Sequence, residues 1–196
     1  MTSATDPSTA ILDAARTLLS NEGTSALTVR RIANEAGGST MNVYSRFGGK
    51  DGVIDALLIE GFGRLGDAMR RVRTTDDPIA DLERCGRNYR EFALANRPYY
   101  ELMFDRSIPD YVLSGEAKMA AFATLELLAQ RVQRAMDAEM LRPDDTLAVA
   151  TVFWSGCHGP VSLELKAVGP PTTNWADVHR RLLRALIDGL RAETCA

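Results

Sequence analysis

The sequence contains little cysteine and little histidine, and both scarcities narrow the chemistry that it can perform. Only three cysteines and two histidines occur among 196 residues, and no two cysteines form a CxxC pair. An odd number of widely separated cysteines is typical of a reducing compartment rather than of a disulfide scaffold. The same scarcity argues against a zinc site. We therefore expect neither a metal ion nor a cofactor.

Long apolar runs and a strong excess of one charge are also absent. The most apolar stretches, such as LAVATVFW, are far shorter than the roughly 20 residues that cross a bilayer. The first residues lack the basic and apolar pattern of a signal peptide. With a formal net charge of −3, the surface as a whole is unsuited to coating nucleic acid or an anionic membrane. We expect a cytoplasmic protein that does not contact membranes.

What the sequence does contain is helical periodicity along almost its whole length. Apolar residues recur every three or four positions, and no segment alternates with period two for long. Ser, Thr, Asp or Asn precedes several of these segments, and Gly or Pro follows them, as helix caps and breaks do. The pattern predicts an all-α fold of about nine helices. Their approximate expected positions are 7–22, 29–36, 40–47, 50–72, 78–95, 97–104, 114–140, 144–168 and 175–192.

The segment GGSTMNVYSRFGGK, residues 37–50, places one short helix between two pairs of glycines. Two short helices joined by a glycine-containing turn form a helix-turn-helix, whose second helix can enter the major groove of DNA. Gly37 suits the positive φ of such a turn, and Ser39 can cap the helix that follows. Val43 and Phe47 are four residues apart and can anchor one side of that helix to the core. We therefore interpret this short helix as a recognition helix.

The side chains on the outward side of this helix match the chemistry of base edges. Asn42 can pair with adenine and Arg46 with guanine through two hydrogen bonds each. Thr40 can contact the methyl group of thymine, and Ser45 lies on the same side. These four residues are the expected readers of the DNA sequence.

Phosphate contacts are expected beside these base contacts. Tyr44 and Lys50 suit phosphate oxygens, and the positive end of the fourth helix dipole adds to the attraction. The charge distribution supports DNA binding only weakly, because residues 1–73 carry a net charge of +1 and the remainder −4. Affinity would therefore come from a few well-placed contacts on each of two subunits.

The N-terminal residues resemble the DNA-binding domain of TetR-family transcriptional regulators. The resemblance covers about residues 10–60, from ILDAARTLLSNEG through LTVRRIANEAGGSTMNVYSRFGGKDGVIDALL. The matching features, in order, are the Ala-Ala pair of the first helix, Gly23, Thr28, Ile32-Ala33, Ala36-Gly37, Ser39, Tyr44, Phe47 and Lys50. Two positions depart from the family pattern: Gly38 stands where a branched residue is usual, and Met41 where glycine is common.

This resemblance implies roles for individual residues. Thr28 and Arg30, at the start of the second helix, would touch phosphates, as would Tyr44 and Lys50. Residues 39–46, which include Ser39 and Met41, would contact the groove. The resemblance also implies a DNA-binding domain at residues 1–52 and a domain for ligand binding and dimerisation at 53–196.

Two later segments, RPYYELMF and FWSGCHGPVSLEL, resemble the ligand domain of a TetR subgroup named for its Trp…His-Gly signature. Trp154 and His158 are four residues apart and share a helix face, and Pro160 interrupts the hydrogen bonds of the same helix. A few polar groups in an apolar wall are typical of a small-molecule pocket. Alternatively, both residues lock helix packing in the core, and the sequence leaves this open. Further candidates for the pocket wall are Tyr99, Tyr100, Met103, Phe104 and Phe122.

These observations predict a homodimeric transcriptional regulator, a repressor that an apolar small molecule releases from a palindromic double-stranded DNA operator. The alternative is a helical small-molecule-binding protein whose DNA binding is weak or lost, which Gly38, Met41 and the low charge would favour. We expect no enzymatic activity, because the adjacent Cys157 and His158 point about 100° apart on a helix and cannot act as nucleophile and base.

Overall fold

The structure, a computed structural model, describes residues 6–105, 108 and 110–192, and these residues form nine α-helices. The helices are α1 (Pro7–Glu22), α2 (Val29–Glu35), α3 (Thr40–Phe47), α4 (Lys50–Arg70), α5 (Pro78–Ala95), α6 (Arg97–Phe104), α7 (Gly115–Asp137), α8 (Thr146–Leu165) and α9 (Trp175–Leu190). A short 3₁₀ helix, Thr24–Ala26, follows α1. The described residues contain no β-strand, and the predicted all-α fold is confirmed.

The helices begin where the capping residues predict. The side chains of Asp6, Thr28 and Ser39 accept backbone N–H groups at the starts of α1, α2 and α3. Asp145 and Asn174 do the same for α8 and α9. These caps satisfy N–H groups that have no partner within the helix, so the local sequence fixes where these five helices start.

Two of the long helices end three residues earlier than the periodicity predicts. α7 stops at Asp137 rather than near residue 140, and α8 stops at Leu165 rather than near 168. Glu139 and Ala167 adopt left-handed backbone conformations, with φ of 56° and 52°, just beyond these ends. Such a residue terminates the helical hydrogen bonds even though the apolar pattern continues past it.

The chain divides into two compact units, and the divisions fall within α4, between α5 and α6, and within α7. The first unit comprises the described residues up to Gly63 together with Asn96–Ala121. In it, α1 packs against α2, α3 and α6, around fully buried apolar side chains. These include Leu19, Ile32, Val43, Ile54 and Leu57.

The second unit comprises Arg64–Ala95 and the described residues from Phe122 onward. α8 packs between α5 and α9, and Phe153 and Val161 of α8 are buried there. A Cβ atom on Gly156 would lie 2.3 Å from Cδ1 of Leu186, so the glycine permits the close approach of α8 to α9. None of the described helices is long and apolar enough to cross a membrane.

A buried carboxylate ties the start of α5 to α7 within this second unit. Asp81 is fully buried and accepts hydrogen bonds from the backbone N–H of Thr75 at 2.9 Å and from its hydroxyl at 2.8 Å. It also accepts from Arg134 Nη1 at 3.0 Å and from Arg84. Burial alone would raise the pKa of Asp81, but these donors outweigh it and hold the pKa well below its ordinary value.

Candidate nucleic-acid interface

The short helix α3 is fixed to the first unit along its apolar side. Val43 is fully buried and Phe47 half-buried, as their spacing predicts. Ser39 Oγ accepts the N–H of Asn42 at 3.4 Å, and the helix ends at Gly48 in the left-handed conformation. Because this anchored side faces α1 and α2, the opposite side of α3 faces solvent.

The residues that the sequence predicts to touch DNA lie on this solvent side or next to it. Met41 and Tyr44 are large apolar or aromatic side chains, yet 71% and 55% of their surface is exposed. Exposed apolar surface on a short anchored helix suits contact with base methyl groups and sugars. The exposed members of the predicted set are Thr28, Arg30, Ser39, Thr40, Met41, Asn42, Tyr44, Ser45 and Arg46, and Lys50 is half-buried.

Several of these side chains have no competing partner among the described residues. The amide of Asn42, the guanidinium of Arg30 and the ammonium of Lys50 make no hydrogen bond or ion pair with a described residue. Arg31 differs, because it donates to Glu22 at the end of α1, which raises the pKa of its guanidinium. The unpaired groups are thus the ones available to bases and phosphates, whereas Arg31 holds α1 to α2.

Arg46 has partners at the start of α1. Its Nη1 lies 3.0 Å from Oγ of Ser8 and 3.3 Å from Oδ1 of Asp6. The expected reader of guanine is therefore paired with a carboxylate of its own chain. This contact joins residues 40 positions apart, and no local pattern in the sequence indicates it.

The turn from α3 to α4 depends on a glycine that the sequence reasoning did not single out. A Cβ atom on Gly52 would lie 1.8 Å from the carbonyl oxygen of Phe47, far inside any tolerable contact. Only glycine therefore lets the first turn of α4 lie directly against the end of α3. This close approach positions Lys50 beside the recognition helix.

Four of the seven predicted ligand residues lie on α6 in the first unit. Tyr99, Tyr100 and Met103 are buried, and Phe104 is half-buried. The ring of Phe104 lies 4.9 Å from that of Tyr100 and 5.9 Å from that of Phe62, measured between centroids. This arrangement is compact aromatic packing within one unit.

The other three predicted ligand residues belong to the second unit. Trp154 and His158 are half-buried on α8 with ring centroids 6.0 Å apart, and Nδ1 of His158 lies 3.1 Å from the hydroxyl of Tyr89 on α5. Sequence reasoning missed Tyr89, because its local pattern does not distinguish it from an ordinary core tyrosine. Phe122 of α7 is 48% exposed. Trp154, His158 and Tyr89 thus form one small polar and aromatic cluster.

Two buried cysteines of the second unit, Cys85 and Cys157, have raised thiol pKa values. Burial raises the pKa of the Cys157 thiol to about 12, and of the Cys85 thiol to about 11, so both stay protonated and weakly nucleophilic. No group of three or more potential metal ligands occurs in the described part of the chain.

Two family models match the sequence. Residues 11–57 match a model described as "Bacterial regulatory proteins, tetR family", and residues 82–190 match one described as "Tetracyclin repressor-like, C-terminal domain". The second match covers more than half of the chain. Neither description mentions the Trp…His-Gly subgroup, so that finer resemblance stays a prediction.

Individual relatives and solved structures agree with the two models. The "HTH-type transcriptional regulator Rv1816" of Mycobacterium tuberculosis is 25% identical in an alignment 186 residues long, which covers 79% of each chain. A protein of unknown function from Rhodococcus sp. RHA1 has a TM-score of 0.84 at 24% identity, covering 97% of this chain and 98% of the other. The TetR family transcriptional regulator PfmR from Thermus thermophilus has a TM-score of 0.66 at 21% identity, covering 92% and 98%. At these identities the two structures establish a shared fold.

Proposed function

Since the chain belongs to the TetR family of bacterial transcriptional regulators, we propose that it is a homodimeric repressor which a small-molecule effector releases from a palindromic operator. Regulation of transcription follows from the family. The direction of control, the dimer, the effector and action in the cytoplasm are our proposals. The roles of the predicted DNA-contact residues and the bounds of the two predicted domains are proposals as well.

The observation that carries the proposal is the two-sided character of α3. Val43 is fully buried on one side, whereas the amide of Asn42 on the other side is exposed and has no partner among the described residues. An unpaired amide on a rigidly held helix is prepared to donate to and accept from adenine. Thr40, Ser45 and Arg46 extend the same surface, and Arg30 and Lys50 supply cations for phosphates.

The homodimer is supported by exposed apolar side chains on α8 and α9. Val152 and Leu163 of α8, and Val178 and Leu182 of α9, are each between 37% and 45% exposed. Apolar surface on two packed helices favours association with a second copy. A two-fold dimer would present two recognition helices about 34–36 Å apart, one turn of DNA, and so require a palindromic site.

The effector site is proposed around the cluster of Trp154, His158 and Tyr89. The indole and the imidazole offer apolar faces with polar edges, which is the usual composition of a small-molecule pocket. An effector acts only through its differential affinity for the two states of the protein, and a near-complete switch needs roughly 5.5 kcal/mol.

Selection of bound duplexes from a fragmented genomic library tests the proposal. We expect the purified full chain to enrich a palindrome with half-site centres about 10 bp apart, and we expect its affinity to fall steeply with added salt. Failure to retain any duplex at low salt would favour the alternative of a ligand-binding protein without effective DNA binding. Enrichment of an unrepeated half-site would contradict the dimer.

A further inference from the structure

The second unit contains a cavity of about 320 Å³ that the proposed function does not use. It lies between the C-terminal end of α4, the residues that follow it, and α7. Its lining contains no carboxylate among the described residues. It does contain four arginines, which are Arg70, Arg73, Arg131 and Arg134. A lining with several cations and no anion attracts negatively charged ligands.

Two of these arginines are already paired with carboxylates. Arg134 Nη1 lies 3.0 Å from Oδ2 of Asp81, a carboxylate that also accepts from another arginine. Arg70 Nη1 lies 3.0 Å from Oδ1 of Asp67, and that pair is exposed. The protein itself therefore balances most of the positive charge of Arg134 and part of the positive charge of Arg70.

The other two arginines have no carboxylate partner among the described residues. Arg73 is exposed and makes no hydrogen bond or ion pair with any residue that the structure describes. Arg131 Nη2 donates to the carbonyl oxygens of Met69 at 2.9 Å and Val72 at 2.8 Å. Its Nη1 is buried without any hydrogen-bond partner.

Holding the guanidinium of Arg131 in this way costs free energy of folding unless a negative charge balances it. Carbonyl oxygens satisfy two N–H bonds of Arg131 but supply no negative charge. A buried charged donor without an acceptor carries an unrecovered desolvation cost. The carbonyls of Met69 and Val72 hold the guanidinium of Arg131 in place, so it is fixed before any ligand arrives.

We propose that this cavity binds a small multivalent anion, a metabolite that carries a phosphate or two carboxylates. Arg73 supplies an exposed cation, Arg131 adds positive charge from within the wall, and Gln130 and Thr74, which also line the cavity, supply further hydrogen-bond donors. The planar guanidinium of the exposed Arg73 matches the paired oxygens of phosphate and carboxylate. The volume lies at the lower end for small-molecule pockets, which suits a compact ligand. This site does not include Trp154 or His158, and it does not depend on DNA binding.

Calorimetric titration of the full chain with inorganic phosphate, and separately with citrate, tests the proposal. The background is chloride at constant ionic strength, so that general screening is the same throughout. We expect saturable one-site binding of at least one of the two anions. Arg73→Gln should weaken it about tenfold or more, the effect of losing one hydrogen bond between charged groups.

Arg71→Gln is the matched control for this experiment. Arg71 lies two positions before Arg73, is exposed and has no partner among the described residues, and it does not line the cavity. It should retain affinity within about twofold, because the same charge is removed outside the site. Preference for phosphate or for citrate would identify which anionic group the site takes.

Two results would overturn the proposal. One is the absence of saturable binding of either anion by the wild-type chain. The other is an equal loss of affinity in Arg71→Gln and Arg73→Gln, which would indicate a general charge effect. Neither residue has a structural partner in the described part of the chain, so both variants should fold, and circular dichroism checks this directly.

Discussion

Arg46 Nη1 lies 3.3 Å from Oδ1 of Asp6, so the arginine expected to read guanine is paired with the capping carboxylate of α1. The arginine side chain is 39% exposed and the carboxylate 60% exposed. An ion pair this exposed contributes about 0.2–1 kcal/mol. DNA can therefore displace Asp6 from Arg46, but the displacement reduces the affinity by the value of the pair.

Asp6→Asn should increase affinity for the operator by up to about fivefold, the equivalent of 1 kcal/mol. The amide keeps the capping ability at the start of α1 while removing the charge that competes for Arg46. Fluorescence anisotropy with a labelled operator duplex measures the change. Asp13→Asn is the control, since it removes the same charge from α1 at a residue paired with Arg16 instead. Equal effects of both variants would refute a specific role for Asp6.

Asn42→Ala and Lys50→Ala should weaken DNA binding in different ways and by different amounts. Asn42→Ala should cost about 1–3 kcal/mol on the operator and almost nothing on unrelated DNA, because it removes a base contact. Lys50→Ala should weaken binding to all sequences alike and reduce the salt slope by about one unit. Salt titrations on operator and random duplexes separate the two. A uniform loss for Asn42→Ala would reassign this residue to the backbone.

The elements of the DNA-binding unit could be predicted from the sequence because local chemistry determines them. Ser39 and Thr28 cap their helices as expected, and the spacing of Val43 and Phe47 identifies the buried side of α3. Capping and periodicity act over a few residues, so a single sequence contains them completely.

What the sequence could not provide were contacts between residues far apart along the chain. The competition between Arg46 and Asp6 exists only once α1 and α3 are packed. Asp81 stands within the first turn of α5 and looks like an ordinary acidic residue, yet its partner Arg134 is 53 positions away. The sequence likewise could not indicate the cavity proposed to bind an anion, because its four arginines come from two separate segments.

Gly52→Ala should destabilise the protein and disturb the recognition helix. The new methyl group would meet the Phe47 carbonyl at 1.8 Å, so the turn between α3 and α4 must shift. Forced overpacking of this kind costs about 1–3 kcal/mol. Urea unfolding measures the stability, and operator binding should weaken with it.

Gly63→Ala is the matched control in the same helix. Gly63 is exposed, and a Cβ atom there meets nothing within 4 Å. The substitution should therefore stabilise α4 by about 0.5–1 kcal/mol, since alanine loses less conformational freedom than glycine. If the two substitutions changed the unfolding free energy alike, the close contact at Gly52 would not be the cause.

Asp81→Asn should lower the free energy of unfolding by about 2–3 kcal/mol at neutral pH. Breaking a fully buried ion pair costs about 3–5 kcal/mol, and we expect a smaller cost here because Arg84 and Arg134 are each 37% exposed. The control is Asp77→Asn, an exposed residue whose side chain accepts the N–H of Ala80, a contact that asparagine can keep. That control should change stability by less than about 0.5 kcal/mol.

The pH dependence of the Asp81 contribution has a definite sign. Its pKa in the folded protein lies well below the ordinary value, and the unfolded chain has a pKa of about 3.9. The stabilisation is therefore fully present above about pH 4 and is lost as the pH falls towards the folded pKa, because the unfolded chain binds the proton first. The difference in unfolding free energy between wild type and Asp81→Asn should be constant from pH 7 to 5 and shrink below pH 4. A difference that stayed constant down to pH 3 would mean that lost packing, rather than the carboxylate charge, explains the effect of the variant.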